Sequence, residues 1–75
     1  MILIDIPIWA AHGTVFAHLV SDTSFEELHE FAERLGVPRG AFDGDHYDIP
    51  ERRYAACLAA GATRVTGVEL ARRVN

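Results

Sequence analysis

The chain lacks lysine and has a single cysteine, and each scarcity argues against a class of protein. With Cys57 alone, no disulfide can form within the chain, so we expect a reducing, cytoplasmic location. The seven basic residues are all arginine, and 11 acidic residues bring the net charge to −4. A simple nucleic-acid-binding module has a basic surface, so this balance argues against one, although a nuclease with metal-binding carboxylates stays compatible with it.

Long apolar runs and common cofactor motifs are also missing. The start, MILIDIPIWAA, is apolar, but no basic segment precedes it and Asp5 interrupts it. It therefore predicts neither a signal peptide nor a membrane span, and we expect no membrane partner. The sequence has no GxxxxGK[ST], GxGxxG, HExxH or CxxC motif, which removes the phosphate-binding loops and the best-defined zinc signatures.

What is present suits one small folded domain over residues 1–75. The chain has 75 residues, of which 49% are hydrophobic, enough for a compact core. A domain of this size buries only about 60% of the surface that its unfolded chain exposes, so its stability is marginal. A homodimer would add burial, and the sequence leaves room for one.

Hydrophobic periodicity and turn residues predict a small α/β fold. Capping-box spacings at Ser24 and Glu27, at Asp48 and Glu51, and at Thr66 and Glu69 predict three helix starts. We expect three strands over 2–6, 14–20 and 62–66, and three helices over 21–36, 49–61 and 66–74. The segments 7–13 and 37–48 are predicted as loops. This β-β-α-α-β-α order predicts a small three-stranded sheet covered by about three helices, the last two strands being parallel.

Ionisable side chains cluster at the ends of these predicted elements. Asp45, His46, Tyr47 and Asp48 follow one another before the second helix. The others stand at strand ends, on a strand face or beside an apolar helix stripe: Asp5, His18, Asp22 and His29. Because charged groups that border a core cost free energy unless they are paired, the set as a whole indicates a binding or catalytic site.

Each residue also has a structural interpretation. Asp48 is most simply the N-cap of the second helix. Tyr47 is typical of a half-buried packing residue. His18 is as well explained by a core histidine bonded to the backbone, and Asp5 by an ion pair with Arg39 or Arg64.

Three functional interpretations stay open. In the first, His18, His29 and His46 bind zinc, manganese or iron, and the metal activates water. In the second, no metal is needed, and His46 acts as a general acid or base between its neighbouring aspartates. In the third, a small ligand or a phosphate binds at the N-terminus of the second helix, with Arg39, Arg52 and Arg53 around it. The candidate residues are, as catalytic groups, His46, Asp45 and Asp22, and, as ligand-binding groups, Asp5, Tyr47, Asp48 and Arg39.

Several short motifs resemble a family of small bacterial and phage proteins, domain-of-unknown-function family 4031. They are the acidic residue that ends the first strand, HLVSD at 18–22, ELH at 27–29, HYD at 46–48 and GA at 61–62. The resemblance covers nearly the whole chain and implies that these histidines and aspartates belong together. Some longer relatives are joined to a metal-dependent phosphohydrolase domain, which implies nucleotide or phosphate metabolism.

We therefore expect a cytoplasmic α/β domain with a His/Asp site that hydrolyses a phosphorylated or nucleotide-like ligand with a divalent metal. The alternative is a non-catalytic binding or adaptor module. In that case the same side chains form a structural hydrogen-bond network that ties the 37–48 segment to the first helix.

Overall fold

The computed structural model describes residues 1–74 and shows one mixed sheet with helices on both faces. Its strands are β1 (Ile2–Ile4), β2 (Trp9–Ala11), β3 (Thr14–Ser21), β4 (Phe42–Asp43), β5 (His46–Pro50) and β6 (Thr63–Arg64). Its helices are α1 (Phe25–Arg34), α2 (Tyr54–Ala59) and α3 (Gly67–Arg73), with short 3-10 turns at Arg39–Ala41 and Glu51–Arg53. Within residues 1–74, none of the helices is long and apolar enough to cross a membrane.

The sheet differs from the one expected. The strand order is β4-β5-β3-β1-β6, with β2 paired to β3 beside β1. Only β1 and β6 are parallel, while the other neighbours are antiparallel. The α/β class is confirmed, but the prediction of a three-stranded sheet is wrong. The predicted parallel pairing of 14–20 with 62–66 is also wrong, because β1 lies between these strands.

Two tight hairpins account for the strands that the sequence analysis assigned to loops. His12 and Gly13 connect β2 to β3 with positive φ at both residues, 50° and 78°, as a type I′ hairpin turn requires. Gly44 and Asp45 connect β4 to β5, and Gly44 has a φ of 75°, which glycine adopts without steric cost. The strands that flank these turns are short, so the alternation of polar and apolar residues in the sequence predicts them only weakly. The turn residues predict the hairpins better.

The second helix is shorter than predicted because its expected first residues form β5. Residues 46–50 alternate between half-buried and buried positions, with Tyr47 and Ile49 inward, and the helix begins only at Tyr54. Within residues 1–74, no side chain caps the start of this helix. Asp48 is therefore not an N-cap, and that prediction is wrong: its backbone lies opposite His18 in the sheet.

The other two helix starts are confirmed. The backbone N–H of Glu27 donates to Ser24 Oγ over 3.1 Å, and that of Glu69 donates to Thr66 Oγ1 over the same distance. Side-chain caps of this kind satisfy N–H groups that the first helical turn leaves without a partner. The Glu27 carboxylate bonds to the Ser21 hydroxyl at the end of β3, which fixes α1 to the sheet.

The two faces of the sheet carry different layers. On one face, α1 and α2 cover the larger core, to which β3 contributes Ala17 and Leu19. On the other face, Leu70 of α3 packs on Leu3 and Val20. Because side chains alternate along a strand, the residue between Ala17 and Leu19 on β3 points towards α3. This residue is His18.

Candidate metal centre

Asp5 and His18 form a carboxylate–imidazole pair at the end of β1, in which the carboxylate is buried and the imidazole is half-buried. The antiparallel register of β1 and β3 brings them together, and Asp5 is only 3% exposed. Asp5 Oδ1 accepts the backbone N–H of His18 over 2.6 Å, and Asp5 Oδ2 lies 2.8 Å from His18 Nδ1. A carboxylate accepts hydrogen bonds, so the ring donates from Nδ1 to Asp5; in the tautomer that carries its only proton there, Nε2 offers a lone pair. Asp5 thus pairs with His18 rather than with Arg39 or Arg64.

His46 makes a matching contact from β5. Its Nδ1 lies 2.7 Å from Oδ1 of Asp45, and its Nε2 lies 3.1 Å from Oδ1 of Asp48. His46 and Asp48 are two residues apart in a strand, so they share the face that His18 occupies on β3. The two imidazole rings meet edge to face, with centroids 4.9 Å apart.

These side chains converge closely enough to hold one ion. His18, His46 and Asp48 each offer a ligand atom, and the three atoms lie within 4.8 Å of one another. Metal–nitrogen and metal–oxygen bonds to zinc are about 2.0–2.2 Å, so small side-chain rotations would place all three on one ion. Two imidazoles and a carboxylate suit zinc, manganese or iron better than calcium or magnesium.

A cavity of about 340 Å³ adjoins this centre on the α3 face. Its polar part is formed by the pairs Asp5–His18 and Asp45–His46. Its apolar walls come from the β2 hairpin, from β3 and from α3: Trp9, Val20, Gly67, Leu70, Ala71 and Val74. The Trp9 ring lies with its centroid 5.2 Å from that of His18. Among the described residues that line the cavity, none is an arginine.

His29 lies on the opposite face of the sheet. Its Nδ1 is 2.8 Å from the hydroxyl of Tyr47, and the ring of Phe42 packs against both. Tyr47 is 1% exposed in the core beneath α1, since it points away from its neighbours His46 and Asp48 along the strand. The structure therefore does not bring His29 or Tyr47 to His18, His46 and Asp48.

Asp22 is also held elsewhere. Hydrogen bonds from the amino group of Met1 (3.0 Å) and from Arg73 (2.7 Å) lower the pKa of Asp22 to about 2. The Arg73 contact ties the end of α3 to the end of β3. Asp22 therefore anchors α3 to the sheet. The structure does not place Asp22 with His46 and Asp45.

The arginines expected to bind phosphate are not gathered at the centre. Arg39 lines a separate cavity of about 280 Å³ with His29 and Tyr47, on the α1 face. Arg53 donates to the carbonyl of Leu35 over 3.0 Å, at the end of α1. Neither residue lines the cavity beside His18.

Sequence reasoning missed the walls of the cavity. Trp9 was placed in a loop, and no role was given to α3. The available signals were the His12–Gly13 pair, which favours a hairpin, and the spacing of Leu70 and Val74, which puts an apolar stripe on one helix face.

Fold and site together define a small α/β protein with a His/Asp centre between a mixed sheet and its last helix. The chain belongs to DUF4031, a protein family of unknown function, whose family model matches residues 2–75. This confirms the resemblance drawn from the sequence motifs. No curated protein and no solved structure matches the chain.

Proposed function

We propose that this domain binds one divalent transition-metal ion through His18, His46 and Asp48 and uses it to hydrolyse a small molecule. The observation that carries the proposal is the convergence of two histidines, each with Nδ1 against a carboxylate, beside a third acidic group. Zinc, manganese and iron are the candidate ions.

The carboxylates beside the histidines support this assignment. Metal-binding histidines nearly always donate their second N–H to a carboxylate or carbonyl, which fixes the ring and makes the ligating nitrogen more basic. Asp5 and Asp45 occupy that position for His18 and His46. Their role is thus to orient the ligands, while Asp48 supplies the ligating oxygen.

Three protein ligands leave a coordination position for water. A metal ion of this kind lowers the pKa of bound water to about 7, so that hydroxide forms near neutral pH. Hydrolysis then adds one water across the scissile bond: the oxygen bonds to the substrate, and a proton goes to the leaving group. Cys57 offers no competing nucleophile, because it is buried in the core and burial raises the pKa of its thiol.

The phosphorylated or nucleotide-like ligand expected from the sequence stays a prediction. Arginine and lysine are the usual partners of phosphate groups in proteins. Since none of the described residues that line this cavity is an arginine, a phosphate here would depend on the metal ion for its binding.

One observation favours the alternative, a non-catalytic module with a structural network. Both ring nitrogens of His46 already lie within hydrogen-bonding distance of a carboxylate, Nδ1 with Asp45 and Nε2 with Asp48. A protonated ring would satisfy both contacts without an ion. On this hypothesis, Asp5, His18 and His46 tie β1, β3 and β5 together, and chelators have no effect.

Elemental analysis distinguishes the two candidates. Untagged protein is purified without chelator, its metal content is measured, and thermal unfolding is followed with and without EDTA. We expect close to one zinc, manganese or iron per chain and a melting temperature that EDTA lowers. Loss of the ion in His18→Ala supports the proposal. Metal-free wild-type protein that takes up no added ion and is insensitive to EDTA refutes it and leaves the structural network.

A further inference from the structure

We infer that the site acts on an uncharged carbonyl compound, such as an ester or amide, whose compact apolar group lies between Trp9 and α3. This inference rests on the proposed metal-dependent hydrolysis and names its substrate class. It differs from the phosphorylated ligand expected from the sequence.

The negative charge around the cavity is the first argument for an uncharged substrate. Asp5 and Asp45 line the cavity, and Asp48 Oδ1 lies 3.1 Å from His46 Nε2, so three carboxylates lie at or beside the centre. A divalent ion would offset only part of that negative charge. Metal-bound water hydrolyses carbonyl or phosphoryl compounds, and a phosphate would bring up to two further negative charges without an arginine to receive them. An uncharged carbonyl compound avoids this repulsion.

The apolar walls of the cavity are the second argument, and they indicate a compact apolar group on the substrate. Leu70 and Val20 are buried beneath the cavity, while Trp9 is 53% exposed above His18. The Trp9 ring therefore offers an exposed aromatic surface beside the apolar walls of the cavity. The volume of about 340 Å³ lies at the small end of the range for ligand pockets, which indicates a compact group.

Small residues on α3 leave space in the apolar part of the cavity. Gly67 and Ala71 are four residues apart and line the cavity together, so they share one helix face. A Cβ added at Gly67 would meet no atom within 4 Å, and Ala71 is exposed. Because Ala71 lines the cavity and is exposed, a larger side chain there has room to extend over the apolar part of the cavity.

Two hydroxamates test the inference, because they share a metal-binding group and differ in their apolar group. Acetohydroxamate carries a methyl group and benzohydroxamate carries a phenyl ring. Each is titrated by calorimetry into zinc-loaded wild-type protein, Ala71→Phe and Trp9→Ala, after zinc content and melting temperature have been measured for each. Inorganic phosphate and adenosine monophosphate are titrated alongside.

We expect benzohydroxamate to bind wild-type protein at least about tenfold more tightly than acetohydroxamate, as burial of part of an aromatic ring implies. Ala71→Phe should remove most of that advantage and leave zinc content and acetohydroxamate affinity unchanged. Trp9→Ala, which removes the opposite wall, should reduce the same advantage and provides a second variant should Ala71→Phe not fold.

The outcomes separate the two proposals. Zinc-loaded wild-type protein that binds both hydroxamates equally, or binds adenosine monophosphate more tightly than benzohydroxamate, overturns the substrate class and leaves the metal site standing. Wild-type protein that does not take up zinc, manganese or iron overturns the proposed function and this inference with it.

Discussion

Both faces of the sheet carry hydrogen-bonded histidines, two on the α3 face and one on the α1 face, but with different partners. On the α3 face, His18 and His46 have carboxylates at Nδ1 and border an open cavity. On the α1 face, His29 bonds to the buried hydroxyl of Tyr47 beneath a packed Phe42. A phenol partner in a core is typical of structural support, whereas carboxylate partners beside a cavity are typical of metal ligation.

Strand β5 produces this division by alternation. His46 and Asp48 point to the α3 face, and Tyr47 between them points to the core. One short strand thus contributes to both a candidate metal centre and the hydrophobic core. The comparison predicts that changes on the α3 face alter metal affinity, whereas changes on the α1 face alter stability alone.

Among changes to residues that support the proposed ligands or the core, the largest effect is expected for Asp5→Ala. Asp5 is buried and holds both the backbone N–H and the ring of His18, so its loss leaves two donors without a partner. We expect the free energy of unfolding to fall by about 1–3 kcal/mol and metal affinity to fall about 10- to 100-fold. Chemical denaturation and zinc titration measure the two. Unchanged zinc affinity in a destabilised variant would mean that Asp5 serves only the fold.

Asp45→Asn should weaken metal binding with little effect on stability. Asp45 is exposed, so its substitution leaves the core intact while it changes the partner of His46 Nδ1. We expect metal affinity about 10-fold weaker, or more, and a melting temperature of the metal-free protein that is nearly unchanged. Equal zinc affinity in the variant and the wild type would remove Asp45 from the centre.

Tyr47→Phe should show the reverse pattern. It keeps the buried ring and removes only the hydroxyl that bonds to His29. We expect a loss of about 1 kcal/mol in the free energy of unfolding, with unchanged zinc affinity. If zinc affinity fell as much as in Asp45→Asn, the faces would not be independent.

The smallest effect concerns acid stability. Contacts with the Met1 amino group and with Arg73 lower the pKa of Asp22 from 3.8 to about 2. Because the folded state holds this carboxyl ionised, its stabilising contribution is complete above about pH 4 and is lost as pH falls towards 2. In Asp22→Asn, the stability should therefore decline less steeply between pH 4 and 2. Identical pH profiles of urea unfolding would contradict this.

Part of this arrangement was predictable from the sequence. Ser24 and Thr66 marked helix starts, and the alternation in 14–20 placed His18 among apolar neighbours on one strand face. Residues 46–50 were not recognised as a strand, because a proline and a capping-box spacing at Asp48 also suit a helix start. Because this strand was not predicted, the alternation that points His46 and Tyr47 to opposite faces could not be used. His29 and His46 were therefore grouped together, although the sheet separates them.

The most direct test of the metal centre compares two histidines of the same chain. His46→Ala and the matched variant His29→Ala are titrated with zinc in competition with a chelating dye, next to wild-type protein. We expect His29→Ala to bind one zinc as tightly as wild type, whereas the affinity of His46→Ala falls by more than about 100-fold. Equal loss in both variants, or no zinc binding by wild-type protein, would contradict it.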